Sequence, residues 1–280
     1  MEQFTDTSFN KDFTQHYSLF LEIEEQQISF VICDYNAGKI AVLKRIGFNE
    51  VTNGTDFLTR LKTVISKEDF LHIPVKEIKI ALTFPAFTLV PRMFFEEELA
   101  EKYLRYQANI TVKETAEVNY IKKLFIKNVF AVDENLRRYI SDTFTAPKIF
   151  HTTTALLARA ADQKDDFSDS QLWIDVRQQL FHILYFENKE FKYLNQFQYK
   201  NKEDFMYFIL LVSDQLKIDR NISDVKFSGH IVANSVLYNE VYKFFRNVSC
   251  ADAYEHVSIS ADEEIPLHFY HALLSLQACE

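Results

Sequence analysis

The stretch from Leu172 to Gln198, LWIDVRQQLFHILYFENKEFKYLNQFQ, constrains this chain more than any other, because it reads as three short strands in succession and has an echo near the N-terminus. Leu172 to Val176, Leu180 to Phe186 and Phe191 to Gln198 are rich in β-branched and aromatic residues and are parted by polar turns, which is the signature of an antiparallel meander. Between Tyr17 and Phe48 the segments YSLFLEI, ISFVICD and KIAVLKRI repeat the pattern, separated by EEQQ and DYNAG. In the first copy Phe57, Leu61, Val64 and Ile65 follow at helical spacing, and then the strand-like IKIALTF at 78–84. In the second copy the apolar run 203–216 and DVKFS at 224–228 take those places. Both halves predict the order β-β-β-α-β, an α/β fold built by duplication. The middle strand of the second copy is apolar on both faces apart from His182, which places it inside a covered sheet. Helix 203–216 is apolar nearly all round, which predicts that it is sandwiched and largely buried.

The other segments continue the α/β pattern. Helices are expected at 96–109, 134–144 with Asp133 as N-cap, 153–161 and 234–246, and Pro266 opens a last one. Short strands are expected at 87–90 and 147–151, a hairpin at 119–132, and a further strand from Tyr254 to Ile259. Residues 1–16 are polar and read as a loose leader. The acidic segment QKDDFSDS at 163–170 reads as a connection between domains. The expected domains are therefore 17–162 and 171–280, each of ordinary size.

Composition excludes several function classes. A formal charge of −9 gives no attractive field for a nucleic-acid backbone, and no cluster of Lys and Arg overrides it. Cys33, Cys250 and Cys279 are odd in number and widely spaced, which fits reduced thiols in a cytoplasmic protein. The N-terminus lacks a basic start followed by an apolar run, and the longest apolar run, Phe205 to Val212, is far short of the ~20 residues that span a bilayer. No membrane insertion is expected. Neither GxSxG, a P-loop, GxGxxG nor HExxH occurs, and with four glycines in the chain a phosphate loop is hard to assemble.

The duplicated β-β-β-α-β order, with the segments FTLVP at 87–91 and FSGHI at 227–231, resembles the actin-like ATPase (ribonuclease H-like) superfamily, which includes sugar kinases, chaperone ATPases and pilus-assembly proteins. More closely, it is similar to a bacterial family described as having an actin-like ATPase fold and no known function. The resemblance implies a DxGT- or DxGG-like turn after the first strand of each half, where glycine admits backbone N–H groups to phosphate. Here the first turn reads Leu21, Glu22, Ile23, Glu24, Glu25, with Glu24 in the glycine place. A carboxylate there would repel a phosphate ~4 Å away by about 4 kcal/mol at an effective dielectric of 20. The second turn reads Ile174, Asp175, Val176, Arg177, Gln178, so Asp175 matches the aspartate while Arg177 replaces glycine. Of the adenosine motif only Ser228, Gly229 and His230 stand.

Two readings of function follow. In the first the chain is a non-catalytic scaffold or protein-interaction module that has lost nucleotide binding and has no cofactor. In the second it is a divergent ATP-binding protein, an ATPase or small-molecule kinase, holding ATP and Mg through Asp175 and Gly229. A small-ligand receptor is a third. Asp175 also reads as a turn residue and Gly229 as a strand-to-helix turn. His268 and His271, after Asp262, Glu263 and Glu264, have metal-ligand spacing, and equally read as a packed pair. Aromatic residues at 269–276 and the pair Phe244 and Phe245 are the expected partner-binding or self-association surface.

Overall fold

Apolar alternation in YSLFLEI, ISFVICD and KIAVLKRI becomes three strands of one sheet. The computed structural model describes residues 2–34, 38–48, 56–84, 86–251, 259 and 265–280. They divide into two compact units, Met1–Ala155 with Leu273–Glu280, and Leu156–Ala253 with Ile265–Ala272. The division falls ahead of the acidic segment 163–170, and the last residues return to the first unit.

In the first unit β1 (Glu2–Thr5), β2 (Tyr17–Ile23), β3 (Gln27–Asp34), β4 (Lys39–Gly47), β5 (Glu77–Leu82) and β9 (Lys148–His151) form a six-stranded sheet ordered β1-β4-β3-β2-β5-β9. The meander β2-β3-β4 is antiparallel, and β5 and β9 join parallel beside β2. All seven residues of β2 are buried, as a strand covered on both faces requires. Helix α1 (Phe57–Ser66) is capped by the Asp56 carboxylate, which accepts from Thr59 N–H, and buries Leu61, Val64 and Ile65. The segment read as a loose leader enters the fold: β1 pairs with β4 and buries Phe4, and Phe9 stacks on Tyr17 at 5.5 Å. Its apolar residues close an edge that β4 would otherwise leave open.

A second, three-stranded sheet, β6 (Phe87–Pro91), β7 (Glu114–Ile121) and β8 (Ile126–Asp133) in the order β6-β8-β7, belongs to the same unit. Helix α2 (Ala100–Gln107) packs on it through Ala100 and Leu104, with Val90, Phe95, Ile110 and Val129 completing a small core. Asp133 caps α3 (Glu134–Thr143), accepting from the N–H groups of Asn135 and Leu136, as the sequence predicts. Buried polar groups tie the strands together, with the His151 ring between Thr153 Oγ1 at 2.6 Å and the Phe84 carbonyl at 2.7 Å.

Helix α4 (Thr152–Gln163) leads to the second unit, where β10 (Ser170–Val176), β11 (Leu180–Glu187), β12 (Glu190–Gln198), β13 (Asp224–Gly229) and β14 (Asn247–Cys250) are ordered β12-β11-β10-β13-β14. The strand carrying His182, β11, does lie inside this sheet. Helix α5 (Lys202–Gln215) is not sandwiched: Phe205, Met206, Ile209 and Val212 are buried, while Tyr207 is 61% exposed. Its apolar content exceeds what the one packed face uses. Helix α6 (Val236–Tyr242), capped by Ser235, stops short of the predicted 246 because β14 follows. The expected strand from Tyr254 to Ile259 lies almost wholly outside the described residues. Pro266 precedes a 3₁₀ turn, helix α7 (His271–Ser275) and a second 3₁₀ turn. Phe245, Tyr270, Leu273, Leu274 and Leu276 are all buried, so most of the expected interaction surface at 269–276 is instead core, while Phe244 is 45% exposed. Large apolar side chains at 269–276 complete the interior.

Candidate functional site

Strand pairing decides what surrounds the end of β10. Asp175 faces His182 on β11 and Ser228 on β13, and His182 in turn faces Gln196 on β12. Directly opposed residues share a face, so four strands contribute one polar row. Ser228 Oγ donates to Asp175 Oδ1 at 2.8 Å, and Trp173 Nε1 donates to Ser228 Oγ at 2.9 Å. Arg177, two positions on and therefore on the same face, donates from Nε to Asp175 Oδ2 at 2.7 Å. His182 lies with Nδ1 3.5 Å from Asp175 Oδ2 and Nε2 3.0 Å from Gln196 Oε1. Asp175 and His182 have no exposed surface and Arg177 has 2%. Burial pushes the Asp175 carboxyl up, but Arg177, the His182 ring beside it and the bond from Ser228 outweigh it and hold it well below the usual carboxylate range.

The first unit repeats the backbone but not the chemistry. Glu22 faces Ser29 as Asp175 faces His182, each seven residues on. Glu24 N–H donates to the Gln27 carbonyl at 3.0 Å, and Arg177 N–H donates to the Leu180 carbonyl at 2.8 Å, so the two turns close identically. Neither Glu24 nor Arg177 is among the residues with positive φ, and the turn therefore accepts a side chain there. The Glu24 carboxylate accepts from Gln27 Nε2 at 2.7 Å and folds along its own turn. Glu22 is buried with Thr83 and Thr152 hydroxyls each 3.4 Å from Oε1.

Gly229 has a steric duty. Its φ is +79°, and a Cβ would stand 2.1 Å from the Val176 carbonyl oxygen, which also accepts from His230 N–H at 2.7 Å. Gly229→Ala is expected to destabilise the second unit by about 2–3 kcal/mol, from the forced φ and the overlap together. A denaturant midpoint read from the fluorescence of Trp173, the chain's one tryptophan, measures it; an unchanged midpoint would contradict the geometry.

His268 and His271 part company. His268 Nε2 approaches the Ile231 carbonyl at 2.7 Å, while His271 is buried against the Trp173 ring, centroids 4.6 Å apart. Burial lowers His271 to about 3; Asp175 pulls it up, and Arg159, Arg177 and His268 push it down. No group of three His, Cys, Asp or Glu among the described residues suits a metal ion, and Asp262, Glu263 and Glu264 lie outside them. His182 beside Asp175, and Trp173 behind Ser228, are not legible in the sequence as members of this site. The signal was His182, the lone polar residue in an apolar strand.

A family model described as "Protein of unknown function (DUF3822)" matches residues 6–248. The chain belongs to that family. Among solved structures the DUF3822 chain is similar to a Bacteroides thetaiotaomicron VPI-5482 protein with actin-like ATPase fold and unknown function: 20% identity, 97% of this chain and 99% of that one covered, TM-score 0.81. It is also similar to a chain of the PilM–PilN type IV pilus biogenesis complex, with 11% identity, coverage of 95% and 99%, and TM-score 0.63. The ethanolamine utilization protein EutJ from Carboxydothermus hydrogenoformans follows with 11% identity, coverage of 94% and 90%, and TM-score 0.51. No curated protein matches. The fold is the actin-like ATPase fold, as the duplicated meander implies. No helix among the described residues is long and apolar enough to cross a membrane.

Proposed function

We propose that this DUF3822 protein is a non-catalytic scaffold or protein-interaction module that keeps the actin-like body and does not bind nucleotide. The observation that carries the reading is the pairing of Asp175 with Arg177 inside the sheet. A phosphate loop needs converging N–H donors and an aspartate open to a metal-bound water. Here Asp175 already accepts from Arg177 and Ser228, and the N–H groups of Glu24 and Arg177 are spent across their own turns. ATP and Mg do not fit these residues, so no chemical step is assigned to them. The neighbour from a PilM–PilN complex supports a protein partner, since that protein is described in an assembly. A cytoplasmic location belongs to the same reading; no disulfide joins Cys33, Cys250 and Cys279.

Thermal unfolding followed through Trp173 tests it. With Mg-ATP in millimolar excess the midpoint is expected to stay where it is. A ligand at 100 times its Kd adds about 2.7 kcal/mol, so a rise that grows with Mg-ATP concentration would favour the divergent ATP-binding alternative.

A further inference from the structure

A strand at the edge of a sheet offers its unpaired N–H and C=O groups to another chain, and most edges of this protein carry a device against that. β1, β9 and β14 are four residues each. The Asn119 side chain also closes β9, donating to the Ile149 carbonyl and accepting from His151 N–H, both at 3.0 Å. β6 ends on Pro91, and β7 carries Glu114 and Glu117. β12 is different. It is nine residues long, and among the described residues no strand pairs with its outer edge. Its charges, Glu190 and Lys192, and the irregularity in its pairing with β11 fall in its first residues. From Tyr193 to Gln198 (YLNQFQ) it runs without charge, proline or glycine.

Backbone pairing fixes which groups face outward. Tyr199 N–H donates to the Gln179 carbonyl, so positions 197, 195 and 193 bond back to β11, while Leu194, Gln196 and Gln198 turn their N–H and C=O groups to the open side. In keeping with this, the Gln196 N–H donates to the side chain of its exposed neighbour, Asn195 Oδ1, at 2.8 Å. The surface beside the edge is apolar. Tyr193 and Phe197 are half-buried on the α5 side, Phe197 stacks on Phe208 with centroids 4.8 Å apart, and the exposed Tyr207 ring contacts Phe208 in turn. Apolar side chains that α5 leaves uncovered thus lie alongside the open strand.

The strand is its own complement. Antiparallel pairing with a second copy about a twofold axis at Asn195 sets Tyr193 opposite Phe197 of the other copy at two symmetric places, and Leu194 opposite Gln196. Leu194 and Gln196 then exchange main-chain hydrogen bonds, which engages the outward groups, and no like charges face each other. An axis one residue on, at Gln196, would instead bring Lys192 opposite Lys200 at both ends. We propose that β12 pairs antiparallel with β12 of a second copy about an axis at Asn195, joining two sheets into one in a twofold dimer. This rests on the protein-interaction reading and names its partner; Mg-ATP binding tests that reading separately.

Sedimentation over a micromolar concentration series tests the dimer with two variants. Residue 195 meets its own copy on the axis, in a pair that is not hydrogen-bonded across the new interface and has Cα atoms ~4.5 Å apart. A charge placed there therefore faces the same charge. Asn195→Asp and Asn195→Lys are each expected to weaken association roughly hundredfold. Their unfolding midpoints, followed through Trp173, are expected to stay at the wild-type value because Asn195 is exposed on the strand. Mixed together, the two variants are expected to form a one-to-one dimer, since opposite charges then meet on the axis. Wild-type protein is expected to stop at the dimer, because pairing uses the open edge of both copies. A wild-type protein that stays monomeric or grows beyond a dimer, a variant that associates like wild type, or a mixture that remains monomeric would each overturn the proposal.

Discussion

Replacing Arg177 with alanine is expected to destabilise the second unit by about 3–5 kcal/mol, the usual loss when one member of a buried ion pair is removed. The reason is not that the bond to Asp175 is strong. Asp175 has no exposed surface, so the carboxylate left behind cannot recover its hydration and keeps only Ser228 and His182 as partners. Because Trp173 donates to the same Ser228, its fluorescence reports the loss directly in a denaturant titration. Changing both members together, Asp175→Leu with Arg177→Met, is expected to recover most of the stability, since the desolvation cost of the pair goes with it. An Arg177→Ala protein within about 1 kcal/mol of wild type would mean that Asp175 is hydrated or protonated in the fold.

Acid is expected to weaken the second unit well before carboxylates titrate. His271 is lowered to about 3 from an ordinary 6.5, so between those values the unfolded chain binds a proton that the folded chain refuses. More protons bound in the unfolded state means that stability rises with pH and falls as pH drops through this window, by up to about 1.4 kcal/mol for each pH unit. The groups acting on the ring are Asp175, Arg159, Arg177 and His268, and burial beside Trp173 dominates them. Asp175 adds a second loss at lower pH. Its carboxyl is depressed in the fold, so its contribution is present above the unfolded value near 3.9 and disappears only as pH falls toward the folded one. His271→Phe keeps an aromatic ring against Trp173 and is expected to flatten the slope between pH 6.5 and 3. The same slope in that variant would assign the titration elsewhere.

Much of the fold was legible because its strands carry their own instructions. YSLFLEI and LFHILYFE show the β-branched and aromatic density of buried strands, Asp133 sits where a helix needs an acceptor, and the duplicated meander implies the actin-like fold. The short edges were not legible. β1 and β14 are only four residues each, and pairing with a neighbour holds them more than their own propensity does. The core was overestimated for α5 and underestimated for residues 269–276, because composition gives the amount of apolar surface and not which face is covered. At the site, Arg177 is legible as a side chain in a glycine position, but not as the partner of Asp175. That requires knowing that Arg177, just past the end of β10, keeps the face of Asp175 two residues before it, and that β11 and β13 bring His182 and Ser228 to it.

In this actin-like body the aspartate at the end of β10 is satisfied by the protein's own arginine. Titration calorimetry of Mg-ATP into the full chain, carried to millimolar ligand, tests that most directly. No saturable heat is expected. Saturable binding that disappears in Asp175→Asn, with the variant still folded by Trp173 fluorescence, would contradict it and place a working nucleotide site at the end of β10.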